Sequence, residues 1–352
     1  MRSPLLTLTL CLVSIAVFGW LLVVGRSLLI PFVIALVVWY LINALAEAVR
    51  QIPFGTAHLP GWVALPVSLI AIFSAGIVII DIVTANLTEL ARDAPAYQAR
   101  LEAIVAQVAG HLNLNDPIEL SDLFPDGGVQ RLVSAGATFL TTIAGSASLV
   151  FIYTLFLMLE QSTFDTKFAK LFPDSAQAQA AFRMRSEINR SIRHYFGIKT
   201  AVSIATGALT SGILIVMGLP YAALFGFIAF LLNYIPTIGS LIGVIFPSLL
   251  ALVYFETLTP FFVIAIGLGI IQFSIGNLIE PRLMGSSLNL SGVVIMLSLA
   301  LWGAIWGVVG MVLCVPLTVV IVIICAKIPA ARPVAVLLSA NGDVDPAPDT
   351  RA

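Results

Sequence analysis

Long apolar runs alternate with two amphipathic stretches along this chain, and one interval decides its class. Residues 200–255 contain no Asp, Glu, Lys or Arg. An apolar run of about 18 residues or more is a membrane-span candidate, and this interval is far longer. Further apolar runs at 5–24, 28–45, 61–83, 137–159 and 260–279 are each long enough to cross a bilayer. Blocks 220–255 and 288–325 exceed one span and are interrupted by Gly, Pro and polar residues. Each such block predicts a helical hairpin that returns to its own side. The pattern therefore predicts an all-α, polytopic membrane protein with about five to six full spans, two broken hairpins and amphipathic surface helices.

Two polar stretches separate these runs. In the first, Leu87, Leu90, Tyr97, Leu101, Ile104, Val105 and Val108 recur at helical spacing. A loop punctuated by Pro117, Pro125 and Gly127 follows. In the second, Met184, Ile188, Ile192, Tyr195 and Phe196 form a stripe edged by Arg183, Arg185, Arg190 and Arg193. Such a basic amphipathic helix suits a membrane surface or a protein neighbour. The expected organisation is three spans over 1–85, an extracytoplasmic amphipathic segment over 86–136 and a fourth span over 137–159. A cytoplasmic basic segment over 160–199, a membrane core over 200–327 and a cytoplasmic tail over 328–352 complete it.

Basic residues orient this arrangement. Residues 89–131 carry three Arg against seven acids, whereas 160–199 carry seven Lys or Arg against four acids. The second segment is then cytoplasmic, and counting spans back places the N-terminus, with Arg2 and Arg50, on the same side. With both late blocks as hairpins, Arg282, Lys327 and Arg332 are cytoplasmic too. The N-terminal run has no polar cleavage region after it, so it reads as a retained helix rather than a signal peptide. Gly25-Arg26-Ser27 makes a tight connection to the next span, and a polar loop with Pro53, His58 and Pro60 precedes the third.

Composition narrows the function classes. The chain is 60% hydrophobic and 10% charged, against about 25% charged in soluble domains. Its net charge of −1 offers no nucleic-acid footprint. Cys11, Cys314 and Cys325 lie in apolar runs without metal-ligand spacing, and His58, His111 and His194 sit in separate segments. No nucleophile elbow, zinc-protease helix, P-loop or dinucleotide fingerprint occurs, so neither an enzyme nor a self-contained ATP-driven pump is expected, and no cofactor or metal.

Polar chemistry concentrates at the breaks. Asn233, Pro236, Thr237, Gly239, Ser240 and Gly243 cluster in the first block. A proline frees a carbonyl, an asparagine both donates and accepts, and glycines admit close packing. A transport path and a tight turn between packed helices both fit this cluster. Gln272, Asn277 and Glu280 are expected along one polar side of an otherwise apolar helix, with Arg282 beyond Pro281. A charge inside hydrocarbon is costly and usually functional, whereas one near the interface is an anchor; both remain open for Glu280 and Arg282. Gly303, Gly307 and Gly310, with Gly239 and Gly243, also suit small-residue helix packing.

The runs Asn233-Tyr-Ile-Pro-Thr-Ile-Gly239, Ile279-Glu-Pro-Arg-Leu-Met-Gly285 and Leu301-Trp-Gly-Ala-Ile-Trp-Gly-Val-Val-Gly-Met311, closed by Leu313-Cys-Val-Pro316, resemble the AI-2E transporter family of PerM-like permeases. The resemblance covers nearly the whole chain. It implies a bacterial inner-membrane protein of several spans, named for proposed export of autoinducer-2, with other members linked to sodium–proton antiport and a tendency to form homo-oligomers. It carries Asn233, Pro236, Gly239, Glu280, Pro281, Gly285, Trp302, Gly303, Gly307 and Pro316 onto family motif positions, with Trp306 and Gly310 in the same run. Some members have proline where this chain has Ser291-Gly292, so the opening of the second hairpin departs from the pattern. The expected function is a secondary transporter that exports a small polar solute by gating around the breaks near Asn233–Gly243 and in block 288–325. Monovalent cation/proton antiport, a membrane scaffold and an oligomeric channel are the alternatives. The lipid bilayer, the solute or ion and further copies of the chain are the expected partners.

Overall fold

The computed structural model describes residues 4–51, 60–111, 128–171, 175–285 and 289–344. His58, the proline-punctuated loop at 112–127, the first residue of block 288–325 and the end of the tail lie outside them. Among the described residues every regular element is a helix. Six described helices are long and apolar enough to cross a membrane: Arg26–Gln51, Gly61–Gln107, Gly145–Phe164, Ala178–Val216, Thr259–Met284 and Gly292–Lys327. The protein is an all-α, multi-pass membrane protein.

Helices α1 (Pro4–Val24) and α2 (Arg26–Gln51) meet at the expected tight turn, where the Leu28 amide donates to Gly25 at 3.0 Å. The amphipathic stretches are continuations of spans rather than separate elements. Helix α3 runs Gly61–His111, α4 Gly128–Leu171 and α5 Ser175–Val216. At 1.5 Å per residue, the 51 residues of α3 reach about 75 Å, against about 30 Å of hydrocarbon. Nothing between Val83 and Leu90 breaks a helix, so the change from apolar to amphipathic composition falls inside α3 and does not end it.

The chain divides into two compact units. One comprises residues 46–146 and 198–283. In it, α6 (Ala222–Leu232) and α7 (Ile238–Tyr254) form the expected first hairpin, followed by α8 (Thr259–Ser274). Leu224 and Phe225 of α6, Leu250 and Ala251 of α7, and Ile264 and Leu268 of α8 close a core with Val83 of α3 and Leu214 of α5. Beyond Val83, Leu87, Leu90 and Tyr97 pack on this core, so the amphipathic stripe of α3 buries against protein. At its rim the Tyr221 hydroxyl donates to the Asp93 carboxylate, and Arg100 donates to the Phe255 carbonyl at 3.1 Å. Burial, reinforced by hydrogen bonds to Asp93 and Tyr97, holds the Tyr221 phenol above the usual tyrosine range. Helices α5 and α6 cross closely: a Cβ on Gly207 would stand 2.7 Å from the Gly226 carbonyl.

The other unit comprises residues 1–45, 147–197 and 284–352. Trp39 donates to Gln161 at 3.0 Å and Tyr40 to Asn189 at 2.6 Å, tying α2 to α4 and to the basic half of α5. Helix α10 (Gly292–Lys327), which follows the short α9 (Glu280–Met284), is the second hairpin. Its backbone leaves helical geometry at Gly307, with φ 62° and ψ −140°. Ser298 accepts a hydrogen bond from Thr318 at 2.8 Å; 20 residues of straight helix would hold them about 30 Å apart. Lys327 then pairs with Glu187 of α5 at 3.2 Å, and α11 (Arg332–Leu338) folds back so that its Leu338 carbonyl receives the Ser291 amide at 3.2 Å.

A β-carbon on Gly310 would collide with the Trp302 carbonyl across the second hairpin, whereas Gly212 on α5 faces open space. Gly310→Ala is expected to cost about 1–3 kcal/mol and to lower the thermal midpoint in detergent, with Gly212→Ala unchanged. Equal midpoints would show that the hairpin yields at this crossing.

Candidate functional site

The site grows from the inner face of α5. Lys199, Ser203, Thr206 and Thr210 recur at helical spacing, and their residues are 4%, 0%, 0% and 0% exposed. The opposite face carries Ile204, Leu209, Ile215 and Val216, all exposed. The helix is thus polar inward and apolar outward, the arrangement that lipid imposes. Thr206 satisfies its hydroxyl on the Val202 carbonyl at 2.9 Å, while the Thr210 hydroxyl is buried without a protein partner.

The first helix break faces this stripe. Asn233 caps α6, and its side-chain amide donates to the Ser203 hydroxyl at 3.0 Å. Tyr234 and Thr200 share a hydrogen bond of 2.7 Å. The chain then turns through Pro236 and Thr237, whose φ of +63° is unusual for a β-branched residue. Ser240 donates to the Thr237 carbonyl at 2.9 Å. Gly239 abuts the Leu232 carbonyl, so any side chain there would force the two arms apart. Four residues on, Gly243 lies against the buried Gln272: a Cβ at 243 would stand 3.1 Å from its amide nitrogen.

After Ser274 the helix widens into a π-turn, Ile275–Ile279, with the Glu280 amide bonded to the Ile275 carbonyl. Such turns frequently mark functional positions. Here the turn delivers the Glu280 carboxylate to the Lys199 ammonium at 2.5 Å, with side-chain exposures of 18% and 5%. Arg282 is exposed. Asn277 is exposed as well and donates to the Phe273 carbonyl at 3.2 Å. Gln272 is buried and Asn277 exposed, so Gln272, Asn277 and Glu280 do not form one polar side.

Asn233 and Glu280 thus join the polar stripe of α5, and Gly243 and Gln272 lie against each other. Pro236, Thr237, Gly239 and Ser240 shape the turn, and Asn277 and Arg282 stand apart. Lys199, Thr200, Ser203, Thr206 and Thr210 are site residues that a motif search overlooks. Their only signal is the spacing of one lysine and four hydroxyls within a strongly apolar run.

The second hairpin is drier. Trp302 and Trp306 are buried, their rings 5.5 Å apart, and the Trp306 ring nitrogen donates to the Leu22 carbonyl at 3.1 Å. A Cβ on Gly303 would stand 3.1 Å from the Met311 side chain. Pro316 is buried in the returning arm, and Gly285, before the hairpin, has φ +53°. Among the described residues no group of three or more His, Cys, Asp or Glu side chains is placed to hold a metal ion.

Comparison with known proteins bears on this geometry. The profile of the AI-2E family transporter matches residues 8–330. The AI-2 transport protein TqsA of Escherichia coli strain K12 is 29% identical over 316 residues, covering 86% of this chain and 88% of the relative. A provisionally named transport protein of Haemophilus influenzae is 29% identical over 286 residues, covering 79% of this chain and 80% of its own. YhhT of Escherichia coli strain K12, also provisionally named a transport protein, is 37% identical over 114 residues, 32% of each chain.

A double-mutant cycle with Ser203→Ala and Asn233→Leu should reveal their coupling. Hydrogen bonds between membrane helices average about 0.6 kcal/mol and reach about 1.7. Unfolding in mixed micelles is expected to give a favourable coupling in that range. Strict additivity would show that the break is not anchored to α5.

Proposed function

The chain belongs to the AI-2E transporter family, and from that membership we propose that it exports a small polar solute across the bacterial inner membrane as a secondary transporter. The observation that carries this is the polar stripe of α5 facing the Asn233 break inside an apolar shell. Hydroxyls and carboxamides there can exchange hydrogen bonds with a solute that lipid would exclude. In this mechanism the break at Asn233–Gly243 opens against α5, and Asn233 exchanges Ser203 for the solute. The hairpin of α10 supplies the second gate. The name of the Escherichia coli relative makes AI-2 the first solute to test.

Both termini are cytoplasmic in this proposal, as the surplus of basic residues in 160–199 favours. Copies of the chain associate through small-residue faces. Monovalent cation/proton antiport is the second mechanism; in it Glu280 is the coupling carboxylate and must leave Lys199 to take up an ion.

The experiment is efflux from sealed vesicles of purified protein, with AI-2 enclosed and a pH dye in parallel. Wild type is expected to release AI-2. Asn233→Ala is expected to slow release about tenfold, equivalent to about 1.4 kcal/mol of barrier. Dye movement driven by sodium or potassium gradients and lost in Glu280→Gln would replace solute export with antiport. Folded protein that moves neither would leave a scaffold.

A further inference from the structure

Lys199 is the buried cation of this site, and its partner comes from 81 residues away. Its side chain is 5% exposed, so the aliphatic stem is enclosed and the ammonium is directed at Glu280. Between Thr200 and Phe255 the chain supplies no charge at all, and Arg282 is exposed. A carboxylate drawn partly out of water, as Glu280 is at 18% exposure, is stabilised by a cation held beside it. Here the compensation is covalently attached to α5. An ammonium carries the same single charge as a sodium ion, but it donates hydrogen bonds where an ion would collect oxygen ligands. Two hydroxyls follow Lys199 on α5: Thr200, hydrogen-bonded to Tyr234, and Ser203, which accepts from Asn233.

We propose that Lys199 is a tethered counter-ion occupying a monovalent-cation site built around Glu280, so that residue 199 sets whether the protein binds sodium there. In the wild type the site is filled from within, and sodium has no place in it. Shortening or neutralising Lys199 uncovers the site, because Glu280 then recruits an ion from solution to replace the lost charge. The inference rests on the transport reading only for its consequence in flux. Its binding consequence holds whichever solute is carried.

The test uses full-length protein in detergent. Thermal midpoints and radioactive sodium binding are compared in sodium chloride and in choline chloride of equal ionic strength. Wild type and Lys199→Arg are expected to show equal midpoints in the two salts and no bound sodium. Lys199→Met is expected to melt lower in choline, to recover in sodium and to bind about one ion per chain. Lys199→Met with Glu280→Gln is expected to lose both sodium responses. Sodium binding by the wild type would overturn the proposal whether or not Lys199→Met folds. So would a folded Lys199→Met without a sodium response, or a response that survives in the double variant. Vesicle efflux of AI-2 by the wild type is scored separately, so failure of the transport reading is distinguishable from failure of this one.

Discussion

Lipid offers no water to a peptide group, and this single constraint organises the molecule. A helix crossing the bilayer satisfies its own backbone, but a broken helix exposes amides and carbonyls that must find partners. Most amides of the first break are returned to nearby carbonyls. Asn233 returns its amide to Ala229 at 3.0 Å, Tyr234 to Leu231 at 3.2 Å and Ile235 to Leu232 at 2.8 Å. Ile238 then bonds Pro236 at 2.6 Å, and Gly239 reaches back to Ile235 at 3.2 Å. Proline at 236 has no amide to place. The chain can therefore reverse inside an apolar shell without abandoning a row of polar groups.

The same constraint explains why the side chains sort as they do. Lys199 and the hydroxyls of α5 turn inward because outward they would meet hydrocarbon, while Ile204 and Leu209 take the outer face. Once inside, these groups need partners, and helix breaks and unusual turns supply them. Asn233 reaches Ser203 from a helix end, and Glu280 reaches Lys199 from the end of a π-turn. Irregular backbone and buried polarity therefore occur together: each makes the other tolerable.

Much of this was legible in the sequence. The spans, both hairpins and their break points follow from run length and from Gly and Pro, because these residues act locally on backbone geometry. What was hidden depends on distant partners or on continuity. The Lys199–Glu280 pair joins residues 81 apart, and Lys199 sits at the edge of a basic segment that disguises it as a surface charge. The hydroxyls of α5 are diluted by Ala, Ile and Val, so hydropathy averages them away. The amphipathic stretch after Val83 was visible as a helix, but periodicity cannot show that it extends α3. Asn277 lies five residues beyond Gln272, about 140° round an ordinary helix, and is exposed.

The two hairpins solve the reversal in different ways, and the difference bears on what each can do. At Gly307 the second hairpin turns at a φ that glycine adopts without penalty. Its arms are closed by Trp302, Trp306 and the Gly310 contact, and a hydroxyl pair, Ser298 with Thr318, bridges them. The first hairpin spends a strained Thr237 and a buried Asn233 where a glycine turn would have been cheaper. Strain and buried amides persist where surrounding structure holds them and function uses them. In the proposed transport cycle, the donors and acceptors of the first hairpin pair with each other when the site is empty and exchange partners when a polar solute fills it.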